Sequence, residues 1–248
     1  MKKTVLITGA AQRIGRVIAQ TLARCGWQVV VHARRSAAEA ETLCRHLCAA
    51  GGQAWPVTGD LLAEDGPDAV FDAALTRAGT LDALVNNASL FERQPLSAAT
   101  PADFDRLWRV NALAPIRLTQ RLASHLAERR ATGVAVNLLD QRIAQPGTGA
   151  TPYLLSKKAL EAFTLSAALE YAPALRVNAV APGAVLPPAA TSSEPAGTFL
   201  LDDARPTPED VADATRYLLE ASCVTGQILF VDGGQHLLTQ PSSKGSHP

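Results

Sequence analysis

The sequence lacks a surplus of either charge: 23 Lys and Arg stand against 23 Asp and Glu, and the formal net charge is zero. Chains that bind nucleic acid carry a basic surplus, so the composition argues against that class of partner. A near-neutral chain also has little self-repulsion, which permits self-assembly. No apolar stretch is long enough to span a bilayer, so no membrane contact is expected. Met1-Lys2-Lys3 has the basic start of a secretory leader, but the apolar run Val5-Leu6-Ile7 stops at Thr8-Gly9, too early for a leader's hydrophobic segment. A cytoplasmic protein is the expectation. Cysteine is scarce: Cys25, Cys44, Cys48 and Cys223. Cys44 and Cys48 flank His46 on an expected helix, yet there is no CxxC pair and no second cluster, so the reading is reduced structural thiols and no metal site. Internal repeats and domain-separating linkers are also missing. One domain over residues 1–239 is expected, with a polar, frayed tail over 240–248.

What is present is alternation. Short apolar runs are expected as strands at Thr4 to Ile7, Trp27 to His32, Gln53 to Val57, Leu81 to Asn86, Val134 to Leu139, Leu175 to Val180 and Ile228 to Val231. Amphipathic stretches between them are expected as helices at Ile14 to Cys25, from Ser36 to Gly51, Ala63 to Ala78, Pro101 to Arg130, Ala150 to Tyr171 and Pro208 to Glu220. Ser36-Ala37-Ala38-Glu39 reads as a capping box, and Pro115 as the site of a bend. Near-continuous apolar strands alternating with helices imply a single-domain, doubly wound parallel α/β sheet with helices on both faces.

The first strand runs into Thr8-Gly9-Ala10-Ala11-Gln12-Arg13-Ile14-Gly15. The strict GxGxxG spacing is absent, but the position, between the first strand and the first helix, is where a dinucleotide's pyrophosphate meets free helical N–H groups. Gly9 permits the turn and Gly15 lets the helix pack close to the sheet. No acid ends the second strand, where an enzyme using NAD would hold its ribose hydroxyls. His32-Ala33-Arg34-Arg35-Ser36 stands there instead. Two arginines and a serine suit the 2′-phosphate of NADP, because a guanidinium pairs with phosphate in a forked geometry. The plainer alternative is an N-cap in a solvated turn, and the two uses of the helix start are compatible. Asp60-Leu61, after the third strand, is positioned for the adenine.

Tyr153 and Lys157 are four apart and share a helix face. A phenol, with a reference pKa of about 10, becomes a better proton donor when a nearby ammonium favours its phenolate. YxxxK alone is a common accident. It gains weight from Thr8-Gly9, from Asn86-Asn87-Ala88 after the fourth strand, and from Asn111 in the next helix.

With these motifs the chain resembles the short-chain dehydrogenase/reductase family over nearly its whole length. The family pattern is TGxxxGxG, NNAG, a helical Asn, Ser, YxxxK, PG and DGG. It corresponds here to Thr8 to Gly15, Asn86 to Ser89, Asn111, Asp140, Tyr153 to Lys157, Pro182-Gly183 and Asp232-Gly233-Gly234. The resemblance implies a Rossmann fold, a nicotinamide cofactor and a homotetramer. It implies that Asn111 holds a water in a proton relay through Lys157, and that Pro182 and Gly183 line the nicotinamide.

Three departures carry information: Arg13 and Ser89 replace glycines, and Asp140 replaces the serine that bonds a substrate carbonyl. An ionised Asp140 would repel a developing alkoxide. A carboxyl beside Tyr153 better suits a reducible C=N bond in a substrate that offers N–H donors. The departures are similar to the pteridine reductase branch, as are Arg35-Ser36-Ala37-Ala38-Glu39-Ala40, Phe91 after the Asn-Asn-Ala-Ser run, and Leu186-Pro187-Pro188-Ala189. That likeness implies that Arg13 and Ser89 contact cofactor phosphate and a pterin or folate substrate. It also implies that Phe91 stacks the pterin against the nicotinamide, whereas a core or loop aromatic is the bland reading of Phe91. The expected activity is NADPH-dependent reduction of a dihydropterin, with Tyr153, Lys157, Asp140 and Asn111 as the catalytic group. The alternatives are a carbonyl (3-oxoacyl-type) reductase of the same family and a dinucleotide-binding regulatory protein without catalysis.

Overall fold

Seven parallel strands lie in the order β3-β2-β1-β4-β5-β6-β7 in a computed structural model that describes residues 2–186, 199–201 and 205–238. The expectations for Pro187 to Ala189 and for the tail over 240–248 fall outside the described residues. The strands are β1 (Thr4–Ile7), β2 (Gln28–Ala33), β3 (Ala54–Thr58), β4 (Ala83–Asn86), β5 (Gly133–Leu138), β6 (Leu175–Pro182) and β7 (Ile228–Val231). The helices are α1 (Arg13–Arg24), α2 (Ala37–Ala49), α3 (Gly66–Ala78), α4 (Pro101–Trp108), α5 (Ala114–Arg129), α6 (Thr151–Glu170) and α7 (Pro208–Glu220).

Strand period two sends alternate side chains to opposite faces. Val5, Ile7, Val29 and Val31 pack under α1, α2 and α7, with Ile18, Leu22, Leu43 and Val211. Leu6, Val30 and Leu84 pack on the other face against Phe71, Leu118, Leu122 and Leu126 of α3 and α5. Burial on both faces is why the strands read as unbroken apolar runs. A buried polar ladder crosses this layer. Asn86 donates to Asn137 Oδ1 at 2.8 Å, and Asn137 donates to Thr164 Oγ1 at 2.9 Å.

Three expectations change. The third helix begins at Gly66, not Ala63, because Asp60 holds the turn before it, accepting from Leu62 N at 3.0 Å through its side chain and from Ala63 N at 3.1 Å through its backbone. The bend expected near Pro115 is a π turn over Arg109–Leu113, in which Ala114 N donates to Arg109 O. Pro115 has no N–H to give the Asn111 carbonyl four residues before it, so the regular ladder cannot continue there. The capping box at Ser36 does not form, since Ser36 makes no side-chain cap bond. Its Oγ and Glu39 Oε1 both accept instead from Gln12 Nε2, at 3.0 and 3.2 Å. Complete capping boxes open α4 (Thr100 with Asp103) and α7 (Thr207 with Asp210). Cys44 is buried and its thiol is pushed up to about 12, chiefly by burial. Among the described residues no helix is long and apolar enough to cross a membrane.

Candidate active site

Strand order reverses between β1 and β4, and at such a switch point the two turns diverge and leave a crevice at the strands' carboxyl ends. A cleft of about 780 Å³ lies there. It is lined by every residue expected at the site except Asn111.

At its β1–β2 end the backbone is braced from within. Thr8 Oγ1 accepts from Asn87 N and Ala88 N, both at 3.0 Å, and Asn87 Nδ2 donates to Thr8 O (2.8 Å) and Gly9 O (3.0 Å). The Asn87 amide is thus spent joining the β1 and β4 turns. Gly15 has no room for a side chain, because a Cβ there would lie 2.4 Å from Gly9 O and 2.5 Å from Asn87 Nδ2. Arg13, where the related pattern has glycine, sits at φ 54°, the left-handed region that glycine occupies most easily. The N-cap residue Gln12 makes no cap bond to α1, which leaves the helix start to offer its N–H groups. That start and the exposed Arg34 and Arg35 make a donor set fit for phosphates. Arg34 leans 3.8 Å from Asp60.

His32, expected as a cofactor contact, is a buried strut. Its Nδ1 accepts from Gly9 N at 3.3 Å and its Nε2 faces Gly59 O at 3.1 Å. One ring nitrogen accepting and one donating requires the neutral imidazole. Burial, the largest cause, lowers its pKa, while the Gly59 bond and Asp60 oppose that.

At the β4–β5 end Tyr153 opens α6 and donates its hydroxyl to Asp140 Oδ2 at 2.8 Å. Asp140 Oδ1 accepts from Arg142 N at 2.9 Å. The expected lowering of the Tyr153 pKa is overturned. Burial and then the Asp140 carboxylate push it well up, so the phenol keeps its proton, and the Lys157 ammonium, 5.9 Å from the ring centroid, does not reverse this. Lys157 itself is buried, donates to Leu138 O at 2.7 Å and is brought down to about 8 by desolvation, against the Asp140 charge.

Asn111 is fully buried and its side chain faces neither the cleft nor Lys157. Its Oδ1 accepts from Leu90 N (2.8 Å) and Ser89 Oγ (3.2 Å), and its Nδ2 donates to Leu90 O (2.9 Å) and Ser156 Oγ (3.1 Å). Only its backbone, in the π turn, remains for the expected water. Phe91 stands at the cleft wall, edge-on to Tyr153 with centroids 4.8 Å apart. Pro182 and Gly183 close the far side, where Gly183 packs so tightly that a Cβ would lie 2.8 Å from Asp232 Cβ.

Sequence reasoning missed Thr8, Gln12, Arg93 and Arg142. Thr8 and Gln12 were in view as loop residues, but their partners are 79 and 24 positions away. Arg93 lies on the cleft wall in an irregular segment and Arg142 in a single 3-10 turn (Gln141–Ala144), both too short to carry a periodic signal.

A family model described as short chain dehydrogenase matches residues 3–196. Pteridine reductase 1 of Leishmania tarentolae is 36% identical over 276 residues, covering 94% of this chain and 96% of that protein. A putative ketoacyl reductase of granaticin polyketide synthesis from Streptomyces violaceoruber is 36% identical over 244 residues, covering 94% and 96%. Among solved structures, FolM alternative dihydrofolate reductase 1 from Brucella suis in complex with NADP is 35% identical, with a TM-score of 0.88 over 97% of this chain and 98% of that one.

Proposed function

Because the chain belongs to the short chain dehydrogenase family of oxidoreductases, we propose that it reduces a dihydropterin to the tetrahydropterin at the expense of NADPH. The observation that carries this reading is the hydrogen bond from Tyr153 to Asp140, a carboxylate in the place where a carbonyl reductase needs a neutral donor. The likeness to a pteridine reductase and to an NADP-bound alternative dihydrofolate reductase supports it.

The donor set of the cleft fits the cofactor. The start of α1 with Arg13 would hold the diphosphate, and Arg34, Arg35 and Ser36 the 2′-phosphate. Gly9, Ile14, Gly15, His32, Asn87, Ala88 and Ser89 line the cleft between; Asp60 and Leu61 would flank the adenine, and Pro182 and Gly183 would back the nicotinamide. When bound, NADPH supplies a hydride to a carbon of the ring C=N bond.

Tyr153 then gives its proton to the adjacent nitrogen, so that one hydride and one proton add across the bond. Asp140 holds the hydroxyl until then, and its unused lone pairs accept N–H groups of the heterocycle. Lys157, fixed by Leu138 O, offsets the charge left on the phenolate. Phe91 gives the flat ring an aromatic face. Asn111 keeps Ser89 and Leu90 in register with Tyr153.

NADPH oxidation at 340 nm with 7,8-dihydrobiopterin and 7,8-dihydrofolate tests the reading, with an acetoacetyl thioester and a quinone as controls. Turnover is expected on dihydropterins, with NADH much poorer. Tyr153→Phe should remove at least about a hundredfold of kcat, as loss of a general acid does, and leave NADPH binding within about twofold. Turnover confined to the carbonyl compounds would reject the pterin reading and favour the family's other reductase chemistry.

A further inference from the structure

The charge at the cleft is lopsided. Six cationic side chains line it (Arg13, Arg34, Arg35, Arg93, Arg142 and Lys157) against two acids, Asp60 and Asp140. Three of the arginines follow β1 and β2, where phosphates fit, and Lys157 serves Tyr153. Arg93 and Arg142 follow β4 and β5, at the other end, and no step of the reduction uses them.

Neither makes an ion pair among the described residues. Their neighbours do. Arg106 reaches Glu92 and Asp103, and Arg109 reaches Asp105 at 2.8 Å. Acids are therefore at hand in this region, yet the two arginines on the cleft wall are left unmatched. Asp140, two residues from Arg142, is committed through one oxygen to the Arg142 backbone N–H and through the other to Tyr153. The Arg142 guanidinium lies over the Phe91 ring, with Cζ 5.1 Å from its centroid. That contact fixes the planar head beside the proposed ring platform while its N–H groups stay open to an acceptor.

We propose that Arg93 and Arg142 form an anion-recognition subsite at the β4–β5 end of the cleft, which selects a pterin carrying a carboxylate-bearing side chain over one carrying a neutral polyol. A forked guanidinium matches a carboxylate in two parallel hydrogen bonds. The proposal deepens the pterin reductase reading and rests on it. A tail bound away from the reacting bond is held equally in ground and transition states, so the subsite sets KM and not kcat.

The test compares 7,8-dihydrofolate with 7,8-dihydrobiopterin on the wild type, Arg142→Gln, Arg93→Gln and the double variant, all with NADPH. The double variant is expected to raise KM for dihydrofolate about tenfold more than KM for dihydrobiopterin, the effect of losing a charge-assisted pair of about 1.4 kcal/mol. An equal loss on both substrates, or none on either, overturns the subsite. A binding arm separates this failure from that of the function. Saturation-transfer NMR with p-aminobenzoylglutamate, the anionic tail alone, should show binding to the wild type that the double variant loses. That result supports the subsite even if no pterin is reduced, whereas no binding, or equal binding to both proteins, overturns it.

Discussion

The proton on Tyr153 is held by a carboxylate and guarded by burial, which makes the residue a store of acid and not a standing phenolate. Lys157 is the group whose charge is poised to change, since desolvation brings it down to about 8. As pH rises through that value the ammonium becomes neutral and stops offsetting the phenolate charge. The kcat/KM for reduction is therefore expected to fall on the alkaline side with a midpoint near pH 8, as measured from initial rates across pH 6 to 10. The Asp140 charge works against the lowering of Lys157. Asp140→Asn should accordingly move the limb to lower pH in whatever activity it retains, and an unmoved limb would remove Lys157 as its origin. Tyr153, Lys157 and Asp140 were legible because YxxxK is a local pattern and Asp140 departs from a family position. The direction of the Tyr153 shift was not legible, because it depends on how deep the hydroxyl lies, which spacing does not report.

Elements were legible wherever their physics is local. Short apolar runs located all seven strands of the described residues, and helix starts and stops fell within a few residues. What failed was local chemistry captured by a distant partner. Ser36 and Glu39 have capping-box spacing, yet Gln12, before the neighbouring helix α1, donates to both oxygens. The first helix begins under a different tension, with Arg13 at φ 54°. A non-glycine residue there costs about 1–2 kcal/mol, partly offset by the extra freedom that glycine has in the unfolded chain. Arg13→Gly is expected to raise stability modestly, by about 0.5 kcal/mol in urea unfolding, while weakening NADPH binding at least severalfold in a titration. Tighter binding by the glycine variant would show that the guanidinium takes no part in holding phosphate.

Over the whole molecule, neutrality is a sum that conceals a separation. The chain balances 23 cations with 23 acids, but the cleft gathers six of the former and two of the latter. Composition excludes an overall basic surplus without revealing a basic cleft, which is why Arg93 and Arg142 had to await the fold. Acid sensitivity is a property of the same scale, because His32 joins the β1 turn, β2 and the end of β3. Its folded pKa lies below the ordinary 6.5. Between those values the unfolded chain binds the extra proton, so stability rises with pH there. The stabilisation is full above about pH 6.5 and is lost as pH falls below it. His125, also lowered by burial and then by Arg129, adds to the effect in the same direction. The urea midpoint should fall from pH 7 to pH 5.5, and His32→Gln should flatten that fall while starting from a less stable protein. An unchanged slope in the variant would assign the acid sensitivity elsewhere.

The strand order also sets a hazard during synthesis. β1 sits between β2 and β4, with Val5, Leu6 and Ile7 paired to Ala83, Leu84 and Val85 on one side. At about 5–20 residues per second on the ribosome, β3 is complete about 1–5 s before β4 begins to emerge, and β1 and β2 earlier still. Through that interval the nascent chain holds an apolar strand with one row of backbone N–H and C=O groups unpaired, a template for a second nascent chain. The switch point that opens the cleft in the finished protein is thus the edge where co-translational aggregation would begin, and where a chaperone has most to shield.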